Sequence, residues 1–133
     1  MKYFADIHIH PTMKSYGHSF PSKENSQNPL SNSSIWYYDP PNLFEKLIDL
    51  LGGIVKYRQS NFSAMGFGNT GIVFASLYPM ERSFFDNKLK TGDFNDMLLN
   101  LITSVGKNRI DYIQSITDYF IDLENEYHYL KQL

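Results

Sequence analysis

The sequence predicts an α/β fold. An alternating strand opens the chain, a continuous apolar run lies in its middle, and amphipathic helical stripes flank that run. Lys2 to His10 alternates with period two, with Tyr3, Ala5, Ile7 and Ile9 on one face and Phe4, Asp6, His8 and His10 on the other, and Pro11 stops the pattern. Residues 12–40 are rich in Ser, Asn, Pro and Gly and read as a long polar, irregular loop. Asn42, with Glu45 three residues later, forms a capping signal for a helix carrying Leu43, Leu47, Leu50 and Leu51, and Gly52-Gly53 stops it. Residues 54–67 are ambiguous between helix and loop. Gly66-Phe67-Gly68-Asn69-Thr70-Gly71 has a G-x-G-x-x-G spacing, but it precedes a strand where the dinucleotide fingerprint must open a helix, so it reads as a turn.

Gly71 to Tyr78 is nearly continuously apolar and ends at Pro79, the pattern of a strand covered on both faces in a parallel sheet. A helix then follows through Phe94, Met97, Leu98, Leu101, Ile102 and Val105, capped by Asp93 and ended near Gly106. A longer one is expected through Ile110, Ile113, Ile116, Phe120, Leu123, Tyr127 and Leu130.

Composition limits the function classes. The chain has 133 residues, one domain's worth, and 42% hydrophobic residues are enough for a core. A net charge of −2 supplies no basic field for nucleic acid or an anionic membrane, so neither is expected as a partner. With no cysteine there is no disulfide framework, thiol nucleophile or thiolate metal site. Asp6 interrupts the N-terminus too early for a signal peptide, and no apolar run approaches the roughly 20 residues that span a bilayer. The expectation is a cytoplasmic protein.

His8-Ile9-His10 carries the most chemical information. Residues two apart on a strand share a face, so both imidazoles can approach one divalent cation, zinc above all. Asp6 lies on that face one step deeper, as a carboxylate able to orient a histidine. Pro11 places the pair at the C-terminal edge of its strand, where parallel α/β folds assemble their sites. Glu81, just past the end of the second strand, is the candidate catalytic carboxylate; a solvated loop position is the competing reading. His18 reads as an exposed loop histidine and His128 as a partly exposed helix residue. Asn32-Ser33-Ser34 and Asn61-Phe62-Ser63 match the glycosylation pattern but carry little meaning without a secretion signal.

Ala5-Asp6-Ile7-His8-Ile9-His10-Pro11 resembles the first-strand signature of the amidohydrolase superfamily, the metal-dependent hydrolases built on a TIM-type (β/α)₈ barrel. Together with Thr12-Met13-Lys14, Trp36 to Pro41 and Ser76 to Glu81, it looks closest to proteins of the membrane-dipeptidase type, peptidase family M19. The resemblance implies that His8 and His10 ligate one metal of a mono- or binuclear zinc site, whose activated water attacks an amide or peptide bond in a dipeptide-like substrate. His10 stands where classical dipeptidases carry aspartate, and the further ligands of the superfamily have no assigned position here. A complete barrel takes about 250 residues. Residues 1–133 are therefore expected to be a single domain, or the N-terminal βα units of an incomplete barrel, weakly active alone. The alternatives are a phosphoesterase of the PHP type, using the same histidines, and a non-catalytic α/β domain that forms a homo-oligomer.

Overall fold

A computed structural model describes residues 2–52, 60–85, 99–100 and 103–133. It is a mixed α/β structure built on a two-stranded parallel sheet. Strand β1 (Phe4–Ile9) pairs with β2 (Thr70–Ala75), so the parallel sheet expected from the two apolar patterns forms. Between the strands lie α1 (Met13–His18), α2 (Leu43–Gly52) and α3 (Phe62–Phe67). After β2 come α4 (Arg82–Phe85), α5 (Lys107–Ser115) and α6 (Tyr119–Lys131).

The register runs Phe4↔Thr70, Ala5↔Ile72, Asp6↔Val73 and Ile9↔Ala75, with irregularities between Phe4 and Ala5 and between Asp6 and Ile9. The second leaves an extra residue in β1 between Asp6 and Ile9, the stretch that holds His8. Such a bulge breaks strict alternation and re-aims the side chains beside it. The apolar run of β2 is not covered on both faces as expected: Ile72 is 61% and Phe74 62% exposed. β2 packs against β1 and α3, and its apolar side chains still face solvent.

Residues 12–40 are not one irregular loop. Met13 and Tyr16 lie on one face of α1, which inserts them into the interior, and Phe20 follows just beyond its end. Gly17 permits that insertion, because a Cβ there would overlap the Val105 carbonyl. The Ser- and Asn-rich stretch that follows is pinned to the end of α6. Asn25 N–H donates to Gln132 Oε1 (2.7 Å), Gln27 Nε2 to Gln132 O (2.8 Å), and Tyr129 OH to Ser33 O (2.6 Å). Polar side chains here replace the secondary-structure ladder that an apolar pattern would have announced.

The cap read for α2 is present: Asn42 N–H donates to Glu45 Oε2 and Glu45 N–H to Asn42 Oδ1, both at 2.9 Å. None of its residues is buried. Within the ambiguous stretch, α3 forms behind Asn61, whose Oδ1 accepts Ala64 N–H at 2.7 Å. The glycines after it do turn the chain into β2, through Asn69 at φ 55°. Phe94, Met97, Leu98, Leu101, Ile102 and Asp93, read as one helix, lie outside the described residues. Val105, from the same stripe, is buried with Met80, Phe85, Leu99, Ile110 and Ile113 in the principal core.

The long C-terminal helix is divided. Ile116 is extended (φ −72°, ψ 140°), and Asp118 restarts the helix by accepting Phe120 N–H at 2.9 Å. An aspartate that can cap a new helix competes with continuing the old one. The break also rotates the buried face: α6 turns Asp122, Glu126 and Tyr129 inward and leaves Phe120 82% exposed. Among the described residues, no helix is long and apolar enough to cross a membrane.

Candidate metal centre

His8 and His10 stand at the C-terminal edge of β1, side by side, with ring centroids 4.8 Å apart and planes at 89°. His8 is exposed and His10 half-buried. Both are held by one residue, Ser76, immediately after β2. Ser76 N–H donates to Ile9 O at 2.7 Å, extending the parallel ladder. Its carbonyl lies 2.9 Å from His10 Nδ1 and its hydroxyl 3.0 Å from His8 Nδ1.

A carbonyl oxygen can only accept, so His10 Nδ1 carries a proton and Nε2 keeps the lone pair in the neutral ring. Metal-binding histidines are commonly oriented this way, with the nitrogen remote from the ion donating to a carbonyl or carboxylate. Among the described residues, no hydrogen bond occupies Nε2 of either ring. Tyr78 packs edge-on against His10, centroids 5.5 Å apart, and Ser60 Oγ donates to His10 O at 3.4 Å.

Asp6 is placed differently from the sequence expectation. Its Oδ1 accepts the backbone N–H of His8 at 3.1 Å, so the carboxylate steadies the bulged strand and not an imidazole. The extra residue in β1 is the cause, since it frees that N–H from the ladder. Glu81 is exposed and accepts Ser83 OH at 3.3 Å; no hydrogen bond or ion pair joins it to either histidine. His18 ends α1 beside Gly106, and His128 is exposed on α6, 3.7 Å from Glu124. Neither joins the pair. Among the described residues, no group of three or more His, Cys, Asp or Glu could hold a metal ion.

The sequence reading passed over Ser76 and a buried polar network behind the pair. Thr12 Oγ1 donates to Glu126 Oε1 (2.5 Å), and Tyr78 N–H to Glu126 Oε2 (3.1 Å). Burial raises the Glu126 carboxyl above its usual range, with the Thr12 and Tyr78 hydrogen bonds opposing the shift. Nearby, Arg109 makes a bidentate pair with Asp122 at 2.5 and 2.6 Å, while Tyr16 OH donates to Asp122 Oδ1 at 3.1 Å. The guanidinium lies 4.7 Å from the Tyr16 ring centroid and 4.9 Å from that of Phe20. Burial, reinforced by the Asp122 charge, pushes the Tyr16 hydroxyl far up.

One signal for this network was available. Asp122 and Glu126 are four apart on a helix and Tyr129 follows at the same face, a polar stripe as regular as an apolar one. Ser76 was the serine within the apolar run from Gly71 to Tyr78. Compared with protein-family models, curated proteins and solved structures, the chain finds no match.

Proposed function

We propose that this chain binds a divalent cation, zinc foremost, through His8 and His10, and acts as a metal-dependent hydrolase of amide or peptide bonds in small dipeptide-like substrates. The observation that supports the reading is the shared anchoring of both imidazoles by Ser76, with His10 in the tautomer that leaves Nε2 available. Two imidazoles suit two of the four positions zinc takes in proteins, so the pair fits part of a site. Such an ion, when bound, lowers the pKa of its water and polarises a carbonyl. This chain's own share is to hold the rings at the strand edge and, through Glu81, to accept a proton. The wider reading places the β1–β2 pair in a (β/α)₈ architecture of the amidohydrolase type and the protein in the cytoplasm.

Zinc titration by calorimetry, on wild type and on the His8→Ala, His10→Ala double variant, tests the site. We expect heat of binding in the first and none in the second; equal binding by both overturns the proposal. Hydrolysis of a dipeptide panel, run beside phosphate monoesters, then separates the peptidase reading from the phosphoesterase one. A second reading, a non-catalytic domain that self-associates, is favoured by the exposed leucines of α2, Leu43, Leu50 and Leu51.

A further inference from the structure

Glu126 sits on α6, far along the chain from β1, and only 1% of it is exposed. Its two carboxylate oxygens serve two different segments. Oε1 accepts the Thr12 hydroxyl, two residues beyond His10. Oε2 accepts the backbone N–H of Tyr78, two residues beyond Ser76. These are the segments by which the chain leaves β1 and β2, and between them lies the His10 ring. Ser76 O accepts its Nδ1–H at 2.9 Å, and Tyr78 covers it edge-on at 5.5 Å. One carboxylate thus ties together the strand ends that fix the ring.

Further details agree. Thr12 occupies the N-cap of α1, yet its side chain makes no capping bond and turns to Glu126. A buried carboxylate is also a costly way to fill space that an apolar side chain would fill without penalty. Its geometric return is a defined register between segments that no backbone ladder joins.

We propose that Glu126 is a positioning residue for His10, setting the orientation and tautomer of that imidazole from behind. This rests on the reading of His8 and His10 as metal ligands, and the experiment separates the two. Long-range ¹⁵N NMR of the His10 ring, without metal, is recorded for wild type, Glu126→Ala, Glu126→Gln and Thr12→Val, followed by zinc titration of each.

Wild type should show the Nδ1–H tautomer. Glu126→Ala should mix the tautomers and weaken zinc binding about tenfold, the low end for residues that orient metal ligands. Glu126→Gln should restore both, because the amide oxygen can accept Tyr78 N–H while its NH₂ donates to Thr12 Oγ1. Thr12→Val should shift the tautomer in the same direction as Glu126→Ala but less. A folded Glu126→Ala protein with the wild-type His10 spectrum overturns the inference. If that variant does not fold, an unaltered His10 spectrum in Thr12→Val overturns it. A wild type that binds no zinc, but whose His10 tautomer answers to Glu126, removes the metal reading and leaves the positioning role standing.

Discussion

Arg109 and Asp122 show how much a single buried pair can commit. Each is almost wholly out of solvent, and the guanidinium finds its charge partner on the next helix and its packing partners on α1 and α5. Asp122→Ala leaves that cation buried and unpaired, with an expected loss of about 3–5 kcal/mol in urea unfolding. A loss below about 1 kcal/mol would mean that the pair behaves as an exposed one. Glu126 makes a pH-dependent contribution of definite sign. Its folded-state pKa is raised, so its stabilising share is complete below its ordinary value of 4.5 and fades as pH rises through the folded value. Arg109 opposes that shift and Asp122 adds to it. Unfolding of wild type and Glu126→Gln across pH 4 to 8 should therefore show the balance moving toward the glutamine variant as pH rises; a constant difference would refute this.

At the scale of elements, the decisive contact is backbone on backbone. α1 approaches the turn before α5 so closely that Gly17 has no room for a methyl group. Gly17→Ala should cost about 1–3 kcal/mol or more, since the Val105 backbone cannot swing aside as a flexible side chain would. Gly66, inside α3, meets nothing within 4 Å. Gly66→Ala should instead stabilise by about 0.4–1 kcal/mol, through helix propensity and a less free unfolded chain. Thermal melts of the two variants check both signs together. The capping pairs at Asn42 and Asp118 belong to this scale too, and they differ in visibility. The first precedes an apolar heptad and was readable; the second cuts through one, and periodicity concealed it.

At the scale of the whole molecule, apolar surface is distributed unevenly. A core gathers around Val105, Ile110 and Ile113, while α2 exposes Leu43 (84%) and Leu50 (81%) and the sheet exposes Ile72. Exposed apolar surface of this kind drives association. Sedimentation should show an average mass rising above 15.5 kDa with concentration, and Leu43→Lys with Leu50→Lys should return it toward the monomer. A wild type that stays monomeric at all concentrations would remove the oligomer reading.

Local chemistry was enough to specify the alternating strand at the histidines, the capped α2 and the glycine turn before β2, because period, capping groups and turn residues act over a few neighbours. The bulge that takes Asp6 away from the rings, the hydroxyl and carbonyl of Ser76 that hold both of them, and the inward turn of Asp122 and Glu126 were settled only on folding. Each depends on a partner distant in sequence, up to the full span between Thr12 and Glu126, and no local pattern encodes which polar group will meet which. Hydrogen-bond satisfaction in a closed interior makes that choice, once the backbone has brought the candidates together.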